Sequence, residues 1–197
     1  MDDFLEQVAR RKRQGVFTLL YVMIWMCVIL FGLVALMNLM SIIGMNENGG
    51  IAFNFINLII AAVFGGAAYL MWRRSDYCRM EYDYTFTNGI LDVSQVLNNK
   101  RRRYLTALDM KDVIRCGPTQ GPGFQKTLNE QGLKKHNWFL NRDANLYYFY
   151  FTKKGVKHLA VLELQEEMIA MVRSKKYLQP GAWVDADGKS AYNYGVS

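Results

Sequence analysis

Two histidines, three cysteines and seventeen carboxylates are the side chains of this 197-residue chain best suited to acid–base, nucleophilic or metal chemistry. Their spacing supports none of these. His136 and His158 fall in different candidate strands, with no HExxH, no triad-like grouping and no carboxylates paired at catalytic spacing. His158 shares a parity with Val156, Ala160 and Leu162, as a core or rim histidine does. His136 follows Lys134-Lys135 and reads as a solvated surface residue. Cys27 lies in an apolar run and Cys78 and Cys116 have no CxxC character, so neither a metal nor a redox pair is expected. Asp109 and Asp112 flank a turn, where carboxylates commonly accept from backbone amides. The glycine-rich Gly117–Gly123 segment lacks a GK[ST] ending and reads as a connector between strands. The chain is therefore expected to be no enzyme and to hold no cofactor and no small-molecule substrate.

One charged cluster stands out instead. Lys100-Arg101-Arg102-Arg103 is a basic run suited to an anionic lipid surface or an acidic partner, and equally to a solvated turn that guards a sheet edge. The formal net charge of +7 points the same way, and beside a membrane it speaks for headgroups rather than nucleic acid.

The elements that must position this run begin with a membrane hairpin. No Asp, Glu, Lys or Arg occurs from Gln14 to Asn46, or from Asn48 to Trp72. A helical span needs roughly 20 apolar residues, and each stretch exceeds that. Spans are expected at about 16–43 and 51–72, within a hairpin over 15–74. Arg10, Arg11, Lys12 and Arg13 precede the first and Arg73 and Arg74 follow the second, whereas the link Gly44–Gly50 carries no positive charge. Short loops rich in Lys/Arg stay inside, so both termini are expected in the cytoplasm of a multi-pass inner-membrane protein. Residues 1–14 place Phe4, Leu5 and Val8 at helical spacing, which reads as a basic amphipathic segment on the membrane surface or a frayed tail. Asn38, Asn54 and Asn57 lie at matching depths and predict an amide hydrogen bond between the helices. Ala61, Gly65 and Ala68 form a small-residue face for close packing, within the hairpin or between copies in an oligomer.

From Glu81 the period becomes two. Glu81–Thr87 alternates polar and aromatic residues and runs into Asn88-Gly89, a two-residue hairpin signal that sets Phe86 against Leu91 and Tyr84 against Val93. Candidate strands follow at 101–106, 112–116, 137–140, 146–152 and 156–164, with Thr152–Gly155 as a type I turn with left-handed glycine. Met168, Ile169 and Val172 give a helix over 165–176 its buried face, and Pro180-Gly181 stops it. Residues 179–197 read as a flexible tail whose Trp183, Tyr192 and Tyr194 are available for docking.

About seven antiparallel strands closed by one helix, directly after a two-helix hairpin, resemble a bacterial pleckstrin-homology-like domain on a membrane anchor. The likeness rests on Tyr82–Val93, on Tyr104–Val113 and on the closing helix, and the opening through Arg10-Arg11-Lys12 is similar to that of a bacterial two-span family with a domain of unknown function. It implies an α+β class: a partly open barrel, or orthogonal sheets, over residues 79–178. Eukaryotic relatives of the fold often bind phosphoinositides through a roomy first hairpin loop, but here Asn88-Gly89 leaves no such room and the basic run falls at the next connection. The resulting expectation is a membrane-anchored interaction or scaffold protein for an unidentified protein partner or a second copy, with an anionic-lipid sensor or a small oligomeric channel or transporter subunit as alternatives.

Overall fold

A computed structural model describes residues 3–45, 51–174 and 176–188. Residues 46–50 of the expected outer link, and Tyr192 and Tyr194, lie outside the described residues. The chain forms two compact units, one of Met1–Lys12, Glu81–Val96 and Lys100–Ser197, the other of Arg13–Met80 with Leu97–Asn99.

The second unit is the hairpin. Helix α1 spans Gln14–Met40 and α2 spans Phe55–Ser75. Both are long and apolar enough to cross a membrane. Between them two short strands, β2 (Ile43–Met45) and β3 (Ile51–Phe53), pair antiparallel, so α1 stops three residues earlier than expected and α2 starts four later. The cause is local: Ser41 donates back to Met37 O through both its amide (3.2 Å) and its hydroxyl (3.0 Å), ending α1, while the Asn54 side chain accepts from Ile56 N and Asn57 N and starts α2.

The first unit holds two four-stranded sheets. One has the order β1-β4-β5-β6, from β1 (Phe4–Ala9), β4 (Met80–Thr87), β5 (Ile90–Leu97) and β6 (Arg101–Asp109). The other has the order β7-β9-β10-β8, from β7 (Val113–Pro118), β8 (Lys134–Trp138), β9 (Leu146–Lys153) and β10 (Val156–Glu163). Alternation fills the core: Tyr84, Phe86, Leu91 and Val93 are fully buried, as the Asn88-Gly89 register requires, and both turn residues have positive φ. Lys154 and Gly155 also both have positive φ, so this connection is a type I′ turn rather than type I, with Lys153 paired to Val156. Strand β8 pairs with β10 in parallel, which corrects the expectation of a wholly antiparallel domain. Helix α4 (Glu166–Val172) buries Met168, Ile169 and Val172.

Three further expectations are corrected. Residues 4–9 are a strand, not a surface helix: β1 pairs antiparallel with β4, Ala9 opposite Tyr82. Its inward residues are Gln7 and Ala9, whereas Phe4 and Val8 are exposed. Gln7 is polar yet satisfied, donating to Glu163 O and accepting from Gln165 N, both at 2.9 Å, and that buried amide hides the period of two from sequence. Second, the glycine-rich connector runs into a helix, α3 (Pro122–Leu128), with Pro122 in its first turn, where a missing N–H costs nothing. Third, the tail does not leave the domain at residue 179, because Ala182 and Trp183 are buried and Cys116 bridges Trp183 in parallel.

Candidate functional site

The expected basic run opens β6, the last strand of its sheet, and all four side chains are exposed. They do not act alike. Arg102 reaches the Asp83 carboxylate at 3.4 Å, and Tyr104, two residues on, donates to Asp92 at 3.1 Å. Arg101 and Arg103 alternate to the other face. Burial raises the Asp83 pKa, which the Arg102 guanidinium opposes. The turn before the run belongs to the hairpin unit: Asn98 N donates to Arg79 O (2.8 Å) and its amide side chain to Asp76 (2.9 Å), directly after α2 ends. Within the hairpin unit, Asn98 is thus tied to the foot of α2. At that foot Arg73 and Arg74 lie in the last turn, and the Arg79 guanidinium stands 4.2 Å over the Tyr21 ring of α1.

The predicted packing residues come together in part. The Gly65 α-carbon lies where an added Cβ would meet Ala35 Cβ at 3.7 Å, with Ala61 and Ala68 buried on the same helix and Phe31 edge-on to Phe64 at 5.4 Å. The expected amide hydrogen bond from one helix to the other is made by Asn57, to a backbone carbonyl and not to Asn38. Asn38 donates to Val34 O within α1, Asn54 caps α2, and Asn57 alone crosses over, donating to Ser41 O at 2.8 Å. The Ser41 carbonyl at the C-cap of α1 is available to it, since no intrahelical N–H claims the last carbonyls.

Sequence reasoning missed two constellations. Asn141 ties the N-terminal arm to the domain: its amide accepts from Lys12 N (2.9 Å) and donates to Arg10 O (2.8 Å) and Glu163 (2.7 Å), while Glu163 also accepts from Leu140 N and Asn141 N. Beside this knot lies a cleft of about 420 Å³, lined by Gln7, Arg10, Lys12, Asn141, Asp143 and Gln165. Its cations are matched, Arg10 by Glu81 at 3.0 Å and Lys12 by Asp143 at 2.8 Å, so the arrangement fastens the arm rather than presenting charge.

The second is the histidine pair. His136 Nε2 and His158 Nδ1 lie 2.9 Å apart, with the rings stacked and flanked by Trp138 and Phe151. His136 is thus half-buried, not solvated, because parallel pairing of β8 sets it opposite Ala160, two residues from His158. Burial lowers both pKa values, helped at His136 by His158 and Lys134 and at His158 by Lys134 and Lys153. No group of three His, Cys, Asp or Glu able to hold a metal ion occurs among the described residues. Cys116 is buried, and burial pushes its thiol up, away from nucleophilic thiolate.

Two sheets closed by a C-terminal helix define the pleckstrin-homology-like class. The chain belongs to the family described as Bacterial PH-like domain (DUF6106), whose model matches residues 1–178. The match includes β1 and both hairpin helices, so the family unit is the whole arrangement and not the domain alone. No curated protein matches the chain, and no solved structure does.

Proposed function

We propose that this protein is a non-enzymatic, membrane-anchored interaction module. In this reading α1 and α2 span the bilayer and hold the PH-like domain at the cytoplasmic face for a protein partner. The observation that carries it is apolar surface: α1 has no buried residue and exposes Leu20, Met26, Leu36 and Leu39 among others, around most of a 27-residue helix. A helix apolar all round needs lipid or a protein core around it. Tethering to a surface raises local concentration, so weak domain contacts suffice. In-cell cross-linking of the full chain, followed by mass spectrometry from intact membranes, should recover a reproducible cytoplasmic partner. No partner, together with turnover of a small molecule by the purified protein, would replace this reading with an enzyme.

A second reading is favoured by the tie of Asn98 to Asp76 and Arg79: Lys100, Arg101 and Arg103 bind anionic headgroups. Each basic residue near such a surface contributes about 1 kcal/mol. Full-chain protein in nanodiscs should label a photoreactive anionic lipid in a salt-sensitive way, and Lys100→Glu with Arg101→Glu and Arg103→Glu should remove most of the labelling. Labelling indifferent to salt and to charge reversal would exclude it.

A further inference from the structure

The outer edge of β7 is already covered by the chain's own end. Cys116 N donates to Ala182 O and Val184 N donates to Cys116 O, both at 2.8 Å, so residues 182–184 add a short parallel strand to the sheet at one ladder position. Trp183 anchors it. The indole is 2% exposed, tilts against Tyr147, lies under the Arg173 guanidinium at 4.6 Å and donates from Nε1 to Asp185 at 2.7 Å. Arg173 also faces the Asp185 carboxylate at 3.6 Å.

The glycine-rich connector is shaped for this strand. A Cβ at Gly117 would collide with Val184 O, one at Gly121 would meet Asp185 O at 3.0 Å, and one at Gly123 would meet the Tyr148 hydroxyl at 2.5 Å as well as Val184 Cγ1 at 3.0 Å. Gly117 has φ +158, close to ordinary extended backbone, so clearance rather than conformation is what its missing side chain supplies. The walls of this groove, Gly117, Gly121, Gly123, Tyr147 and Arg173, all fall within the family match, which ends at residue 178. The occupant, residues 182–185, falls beyond it. Groove and occupant are joined through the turn at Pro180-Gly181, where Gly181 has φ +82.

We propose that the β7 edge is a peptide-binding groove, held by this chain's Ala182-Trp183-Val184-Asp185 and opened to an extended partner segment of the same chemistry. That segment carries an aromatic anchor followed two residues later by a carboxylate, and it pairs backbone to backbone with Cys116. Such strand addition draws affinity from main-chain bonds and specificity from side-chain pockets. This inference rests on the interaction-module reading and names the kind of partner the module takes. The tail then acts as a built-in competitor, present at an effective concentration on the order of millimolar.

The test uses the full chain in detergent micelles and a fluorescein-labelled peptide of residues Gly181–Asp187, read by fluorescence polarisation. Trp183→Ala empties the groove without shortening the chain, and it should bind the peptide about tenfold or more tightly than the unaltered protein, which must first release its tail. Adding Arg173→Ala or Gly121→Leu to that variant should abolish the gain. A folded Trp183→Ala chain that binds no more tightly, or a gain that survives both additions, would overturn the groove. So would loss of cooperative melting in both Trp183→Ala and the milder Asp185→Ala, which would make the segment part of the core. Exchange of tails between two copies, seen as a concentration-dependent dimer that Trp183→Ala dissolves, would also overturn it. Partner cross-links that persist in Arg173→Ala would leave the interaction module standing and refute the groove alone.

Discussion

At the scale of single residues, buried polar groups with specific partners fix this protein's geometry. The histidine pair has a consequence that can be measured. Both imidazoles titrate below the ordinary value of about 6.5, because burial and neighbouring lysines disfavour the cation. The unfolded chain therefore takes up protons first as pH falls. The stability from the neutral pair is complete above about pH 6.5 and declines as pH drops through the window between the unfolded and folded values. Asp3 and Glu130 have lowered pKa values, held down by Tyr177 and Tyr150 hydroxyls first and by lysines second, so their contribution is lost only in more acidic solution. Denaturant melts of the full chain should show stability falling between pH 7 and 5, and His136→Gln with His158→Gln should flatten that slope. An unchanged slope would remove the pair from the account. Nothing in Lys134-Lys135-His136 marks His136 as half-buried, because the parallel β8–β10 pairing that brings the rings together is a long-range choice.

Among the elements, the strongly periodic ones were legible and those defined by a partner were not. Glu81–Val93 carries its alternation and its turn in one local stretch, and burial of Tyr84, Phe86, Leu91 and Val93 follows that pattern. Strand β1 has no such local signature, since its inner face holds Gln7, an amide paired only once Glu163 and Gln165 arrive from the far end of the domain. The basic run was readable as a cluster, but not the division that pairs Arg102 with Asp83 and leaves Arg101 and Arg103 on the other face. In the hairpin, small residues foretold the contact line, and neighbouring glycines now separate packing from composition. Gly65 faces Ala35 at van der Waals distance, whereas a Cβ at Gly66 would meet nothing within 4 Å. Gly65→Leu should push the helices apart and lower the thermal midpoint of helix loss in micelles, by overpacking of about 1–3 kcal/mol. Gly66→Leu should leave it unchanged. Equal effects would mean that the stripe does not pack within the hairpin.

For the whole molecule, the decisive feature is where the hairpin enters the fold. Strands β1 and β4 are paired neighbours in one sheet, Ala9 opposite Tyr82, and the entire hairpin is inserted between them. The chain leaves β1 through Arg10–Arg13 and returns to β4 at Met80 after α2. Whichever side of a membrane the domain occupies, the N-terminal strand must occupy it too. In the proposed topology charge selects the side: six Lys/Arg, from Arg10 to Arg13 and at Arg73 and Arg74, flank the helix ends away from the link, and the link carries none. The most direct test is cysteine accessibility in intact cells, after replacement of Cys27, Cys78 and Cys116. A single cysteine at Asn48 in the link should react with an impermeant thiol reagent, while one at Lys154, in the exposed β9–β10 turn, should react only after the cells are opened. The reverse pattern, or equal reaction of both in intact cells, would contradict a cytoplasmic PH-like domain held by a membrane hairpin.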